Sequence, residues 1–459
     1  MRLLRLVVLL TPMLLGEEWT RFRGPNGTGV GAGTGYPSEL KKESAAWRMA
    51  VRPGKSSPVL TDRHIFLTSA DGSKLYTQCF ERATGKLLWE RSLDKARSPI
   101  ANRLNHDAAV TPVTDGQNVF VFFKDFGFVS YDAAGKQRWV APMGPFDSTM
   151  GLGTSPILAG NLLVLVTDLV EGSFIAGLDP KNGELRWKVG REEAESWGSP
   201  LLLAAGKGKP QILTTSRGQL GTHRLADGKR LLTMRGLPTT VVGSPVLDGN
   251  TVYVFGYGNE GPAPFSERLT RMDKDKDGKL SPEEYGVEPF LAGIAKYKGN
   301  RDGIITEDEW LEKQKEIIGP NHLGAYRIEG EGENLTAKEI WRYEKSFTGV
   351  IPSAVLYQGV IYFVKNGGIL TSLDAASGAV LKTGRVQGAL GGYSSSPVAA
   401  DGKLYLGSED GNVAVLKAGK EWEVQSVADF GEPVYATPAL SQGDVFVRTD
   451  AALYRFKGR

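Results

Sequence analysis

Thr154 to Lys188 reads TSPILAGNLLVLVTDLVEGSFIAGLDPKNGELRWK. Ser155-Pro156 is followed by an apolar run and a turn at Ala159-Gly160-Asn161. Two more apolar runs, Leu162 to Thr167 and Ser173 to Leu178, lead to Asp179. The turn Pro180-Lys181-Asn182-Gly183 then opens a fourth short segment carrying Trp187. Four short β-prone runs separated by hairpin turns predict one small antiparallel sheet. A sheet that small cannot bury both faces alone, so it must stack on copies of itself.

Those copies can be counted. A Ser-Pro or Thr-Pro opening recurs at Pro58, Pro112, Pro156, Pro200, Pro245, Pro397 and Pro438. Pro352-Ser353-Ala354-Val355 is an eighth, with Ala354 where the proline would stand. Most intervals are 41 to 54 residues, but the one from Pro245 to Ala354 is 109 and must hold an insertion. The closing position, four residues after a turn glycine, is Trp89, Trp139, Trp187, Leu232 and Lys382, with Trp341 and Trp422 after altered turns. Eight openings thus meet seven closings. The missing closing strand is Trp47–Val51, ahead of the first opening, and the last copy (Thr437 to Lys457) has only three strands. Pairing the two ends in one sheet shuts a ring and leaves only short protected edges. The fold expected is all-β: an eight-bladed β-propeller of four-stranded antiparallel blades, with a small α-helical insertion in blade five.

Length alone would allow about three average domains in 459 residues. The repeat overrides that prior, because each copy buries its faces on its neighbours. The formal net charge is +3, with no basic tail or Lys/Arg run, so nucleic acid is not an expected partner.

Arg2 and Arg5 precede an apolar stretch, Leu6–Leu15, broken only by Thr11-Pro12. This reads as an export signal over 1–16, too short to span a bilayer. The chain is therefore expected outside the cytoplasm, periplasmic or extracellular, as a monomer without a transmembrane segment. Residues 17–46 read as an extended Gly-rich arm over one propeller face. Its Gly27, Gly29, Gly31 and Gly33 fit no Gly-x-Gly-x-x-Gly register. The propeller is assigned to 47–258 and 323–459, and the insertion to 259–322. The sole cysteine, Cys79, lies in an apolar run and reads as a core residue.

The repeat has a structural logic. Asp179 can accept backbone N–H bonds across its own hairpin, and Gly183 can take the positive φ that the turn needs. Trp187 offers a large flat ring to fill the wedge between blades, worth roughly 2–3 kcal/mol when buried. Ala176-Gly177-Leu178-Asp179 followed by Gly183 and Trp187 resembles the tryptophan-docking repeat of quinoprotein-like propellers. That repeat is shared by bacterial pyrroloquinoline quinone dehydrogenases and by the non-enzymatic propeller lipoprotein of the outer-membrane β-barrel assembly machine. Phe22-Arg23-Gly24-Pro25-Asn26-Gly27, Thr111-Pro112-Val113-Thr114-Asp115-Gly116 and Ser396-Pro397-Val398-Ala399-Ala400-Asp401-Gly402 resemble exported bacterial members with this repeat. The resemblance implies the fold over the mature chain and leaves both enzyme and scaffold open.

One segment breaks the rhythm. Asp273-Lys274-Asp275-Lys276-Asp277-Gly278-Lys279-Leu280-Ser281-Pro282-Glu283-Glu284 is a full twelve-residue EF-hand loop. Asp273, Asp275 and Asp277 supply carboxylates at positions one, three and five, and Gly278 permits the bend at six. Lys279 offers its carbonyl, Ser281 acts through water and Glu284 is bidentate, so Ca²⁺ is the expected ion. A second loop, Lys298 to Glu309, keeps Asn300, Asp302, the bend Gly303 and Glu309, but has Lys298 where the first ligand belongs. It is expected to bind weakly or not at all. Leu280 and Ile305, at the eighth positions, should pair across the two loops. Thr306 and Glu309 form a capping box for the following helix.

Other chemistry has little support. His64, His106, His223 and His322 show no metal-ligand spacing, and no Gly-x-Ser-x-Gly is present. With one cysteine, the adjacent-cysteine disulfide of the quinone alcohol dehydrogenases cannot form, and their catalytic Asp maps to no residue here. Loops before each Ser-Pro should line one end of the channel, offering His106, Asp107, Trp197 and Tyr393. No residue is assigned as catalytic. The expected function is an exported non-enzymatic scaffold binding a protein or glycan of the cell envelope. The alternative is a Ca²⁺-assisted pyrroloquinoline-quinone-dependent oxidoreductase acting on alcohols or sugars.

Overall fold

A computed structural model describes residues 19–96, 105–204 and 209–458. The leader expected over 1–16 lies outside them. Eight four-stranded antiparallel sheets form the expected eight-bladed propeller. Blade three is representative: Ile157–Ala159, Leu162–Thr167, Phe174–Leu178 and Leu185–Gly190 pair in sequence order. The second and third strands are wholly buried because both faces pack on neighbouring blades, whereas the fourth alternates exposed and half-buried residues. Phe120 and Phe128 of blade two, for example, share a cluster with Leu163 and Leu165 of blade three.

In blade eight the order is Trp47–Ala50, Ala452–Phe456, Asp444–Arg448, Ala439–Ser441. The N-terminal strand therefore supplies the outermost strand, with Trp47 opposite Arg455 and Ala50 opposite Ala452.

Five of the closing tryptophans, Trp47, Trp89, Trp139, Trp187 and Trp341, dock on the next blade. The indole N–H donates to a turn carbonyl there: Trp47 to Arg82 (3.2 Å), Trp89 to Ala133 (2.9 Å), Trp139 to Pro180 (3.0 Å), Trp187 to Leu225 (3.1 Å). The ring lies flat on that turn's glycine. A Cβ on Gly183, whose φ is +77°, would stand 2.5 Å from the Trp139 ring. In seven blades a bulge between the third and fourth strands, such as that at Gly177/Leu178, adds the twist beside the tryptophan.

The arm crosses one mouth of the channel. Its backbone bonds to the inner strands at Leu60, Thr114 and Ala399. Arg21 donates to the Pro200 carbonyl (2.6 Å) and Arg23 to that of Ala354 (2.5 Å), on blades four and six. At the other mouth sits the insertion of blade five, between Thr251–Gly256 and His322–Glu331. It holds helices α1 (Phe265–Met272), α2 (Pro282–Tyr285), α3 (Pro289–Tyr297) and α4 (Glu307–Ile317) around Leu280, Leu291, Ile294, Ile305 and Trp310. Among the described residues no helix is long and apolar enough to cross a membrane.

Candidate functional site

The inner wall of the channel is a closed hydrogen-bonded ring. Each backbone N–H of the residue before the opening proline donates to the hydroxyl of its counterpart in the next blade. The order is Ser57, Thr111, Ser155, Ser199, Ser244, Ser353, Ser396, Thr437 and back to Ser57, at 2.9 to 3.1 Å. The opening motif is legible in the sequence, but the proline there draws attention from the hydroxyl. Ser353, which precedes Ala354 instead of proline, keeps its place in the ring.

Above the ring lies a cavity of about 580 Å³. Phe22 of the arm reaches it from one end, and Phe290, Lys313 and Ile317 of the insertion close on it from the other. Trp197 and Tyr435 contribute aromatic surface, and Glu195 and Glu409 contribute carboxylates. Glu195, itself buried, accepts from Ser148 Oγ (2.8 Å), Thr149 N–H (2.6 Å) and Thr149 Oγ1 (2.5 Å). Glu409 accepts from Ser394 Oγ (2.5 Å). Neither carboxylate belongs to a recognisable sequence motif.

Of the four rim residues expected from sequence, only Trp197 lines this cavity, and its indole N–H donates to Gly151 O (2.9 Å). Asp107 is buried between Lys95 (2.7 Å) and Lys124 (3.4 Å), which together hold its carboxyl below the usual range against the cost of burial. Tyr393 is buried and donates to Ala389 O (2.6 Å). The ring nitrogen of His106 accepts the Ala108 N–H (3.3 Å). These three serve packing and loop closure. The signal that misplaced them was position before the Ser-Pro, which fixes the end of the channel but not which way a side chain turns.

Among the described residues, no histidine belongs to a cluster that could hold a metal ion. His223 is buried beside Arg191 (3.0 Å), which ion-pairs with Asp168 (2.7 Å). Burial first, then the Arg191 charge, pushes its pKa down to about 4. His322 bonds the Tyr326 hydroxyl (2.7 Å). Cys79 is buried, and its thiol is pushed up to about 12 by desolvation.

The structure brings the acidic residues of loop 273–284 together. Carboxylate oxygens of Asp273, Asp275 and Asp277 lie within 4.8 Å of one another. Asp273 Oδ1 is buried and accepts no hydrogen bond from the described residues. Gly278 takes φ +80°, and its N–H donates to Asp273 Oδ2 (3.1 Å). Glu284 folds back over the loop through the N–H groups of Lys274 (2.7 Å) and Ser281 (2.8 Å). The Asp277 N–H lowers the Asp275 pKa, but desolvation and the charges of Asp277, Glu284 and Asp273 together outweigh it and raise it. Such mutual repulsion is what a divalent cation relieves. Lys279 lies on the same loop, and Leu280 exchanges two backbone hydrogen bonds with Ile305 (3.0 and 2.9 Å).

The second loop is satisfied by its own groups. Glu309 accepts from the N–H of Asn300 (3.3 Å) and from Thr306 N–H (2.9 Å) and Oγ1 (3.0 Å). Lys298 turns its amine to Glu316 and Glu312 on α4.

Solved structures similar to this chain fix the fold alone, because identity is low. BamB from Moraxella catarrhalis shares 12% identity at a TM-score of 0.58, covering 90% of this chain and 98% of that one. The computationally designed Ika8 protein matches at 12% identity and 0.55, covering 92% and 100%. The quinohemoprotein alcohol dehydrogenase from Comamonas testosteroni matches at 11% and 0.43, covering 96% and 81%. No curated protein matches the sequence. Residues 39–149 and 73–271, together just over half of the chain, match the family described as outer membrane protein assembly factor BamB. With its eight-bladed ring and docked tryptophans, the chain belongs to that family of PQQ-repeat β-propellers.

Proposed function

We propose that this protein is an exported, non-enzymatic scaffold that binds a protein or glycan of the cell envelope, with Ca²⁺ bound in the insertion. The observation that carries this reading is the build of the two channel mouths. The arm fills one and a helical insertion sits on the other, which suits presentation of a shaped surface. Similarity to an assembly factor supports an envelope partner and a periplasmic or extracellular location. Asp273, Asp275, Asp277 and Glu284 would hold the ion, with the Lys279 carbonyl and a water on Ser281. Bound Ca²⁺ would supply the charge that the crowded carboxylates lack and stiffen the insertion.

The competing reading is a quinone-dependent oxidoreductase, and it draws on the cavity with Trp197 on its wall. Incubation with pyrroloquinoline quinone and Ca²⁺, followed by desalting and a dye-reduction assay with alcohols and sugars, separates the two. A retained chromophore with turnover overturns the scaffold; protein that emerges colourless and inactive supports it. A photo-crosslinker at Val287, 96% exposed on the insertion, should trap one recurrent envelope partner.

A further inference from the structure

The insertion is joined to blade five by a narrow neck. Asn259 and Ile318 form a single parallel bridge, with Asn259 N–H donating to Ile317 O (2.8 Å) and Gly319 N–H to Asn259 O (3.0 Å). Gly258 packs so closely on Gly319 that a Cβ on Gly258 would stand 2.5 Å from the Gly319 carbonyl oxygen. Two backbone strands with glycines face to face can pivot as a hinge. Beyond the neck, the insertion has its own apolar core, so it can move as one body.

Helix α4 brings that body onto the channel. Lys313 and Ile317 line the cavity, as does Phe290 of α3. Between Lys313 and Ile317, in the same last turn, is Glu316. Its carboxylate meets the Lys298 amine, the Lys313 amine (2.9 Å) and the guanidinium of Arg217 (3.3 Å) from blade four. Arg217 also donates to the Glu316 carbonyl (3.3 Å). All four side chains are under a third exposed, where water screens a charge pair less than at the surface. Among the described residues, the other charged links between insertion and propeller, Lys296–Asp147 and Arg301–Glu171, are about half exposed and count for little.

We propose that the insertion is a hinged lid on the channel cavity, held shut by a latch in which Lys298, Lys313 and Arg217 converge on Glu316. Lys298, at the first position of the second loop, thereby serves lid closure where an ion ligand would otherwise stand. Arg217 is the striker on the propeller side. The inference goes beyond the scaffold reading, because it assigns the cavity a controlled entrance, and it does not depend on bound Ca²⁺.

The test uses the full chain with Cys79→Ser and a reporter thiol, Ile351→Cys, on the cavity wall. Reaction with dithionitrobenzoate should be slow with the latch intact. In Glu316→Gln, and separately in Arg217→Gln, it should be at least tenfold faster. A Lys86→Cys reporter on an exposed turn should react equally fast throughout. Hydrogen-exchange protection of the Leu280 and Ile305 amides should persist in both variants, which separates an opened lid from an unfolded insertion. Equal rates for the cavity thiol with and without Glu316, or faster rates accompanied by lost protection, overturn the latch. If calorimetry finds no bound Ca²⁺ while the cavity thiol still responds to Glu316→Gln, the latch stands and only the metal assignment falls.

Discussion

At the residue scale, small groups in this chain carry more than their size suggests. Ser199 Oγ is the acceptor for the buried Ser155 N–H. Ser199→Ala should cost about 1–3 kcal/mol, because the donor is left without a partner; urea denaturation would read it as a lower midpoint at unchanged slope. Gly183→Ala forces a left-handed φ on a residue with a Cβ and drives that carbon into the Trp139 ring. A loss of at least about 1–3 kcal/mol is expected, and a neutral melt would mean that the indole yields. The turn glycines and tryptophans were legible in sequence because turn chemistry is local. The hydroxyl ring was only half legible: the residue type recurs visibly, but its partner sits one blade away. His223 makes a pH-dependent contribution. Its folded pKa, about 4, lies below the unfolded value near 6.5. Above pH 6.5 both states are neutral and stability is complete. As pH falls from 6.5 toward 4 the unfolded chain takes up the proton first, and up to about 3 kcal/mol is lost. His223→Gln should flatten the fall in melting temperature across that window, and an unchanged slope would exclude this histidine as its source.

At the scale of elements, the insertion separates what pattern can and cannot specify. The spacing of Asp273, Asp275, Asp277, Gly278 and Glu284 was readable because a twelve-residue loop specifies its own geometry. The pairing of Leu280 with Ile305 followed from the same registration of two loops. The role of Lys298 was not readable. Sequence marks it as a missing ligand, and only the fold brings Glu316 of α4 to its amine. Likewise Asp107 and Tyr393 look like rim groups until Lys95, Lys124 and the Ala389 carbonyl are placed around them. If the first loop holds Ca²⁺, wild-type protein should bind one ion by calorimetry and melt higher with Ca²⁺ than with chelator, as mass action requires. Asp273→Ala should abolish both effects while the propeller keeps its fold. Undiminished stoichiometry in that variant would place the ion elsewhere.

For the whole molecule, the decisive feature is that the ring is closed inside a blade and not between blades. Trp47–Ala50 pairs with Ala452–Phe456, and Trp47 also docks on blade one through Arg82 O and Gly85. The same strand thus completes blade eight and seals the interface with blade one. An open array of repeats would lose stability at its ends one unit at a time. A closed ring has no ends until this seam parts. Replacing Trp47–Ala50 by Gly-Ser-Gly-Ser removes the docking indole and the side chains of the strand, and weakens its pairing through the entropy of glycine. The expected result is a lower denaturation midpoint, with amide exchange accelerating first in blades eight and one and only later in blades four and five opposite. That gradient distinguishes a seam from an ordinary blade contact, because Trp139→Ala, which disturbs the interface of blades two and three, should leave blade eight protected. If the seam variant exchanged no faster in blade eight than wild type, closure would have to rest on the hydroxyl ring, where Thr437 N–H meets Ser57 Oγ (3.1 Å).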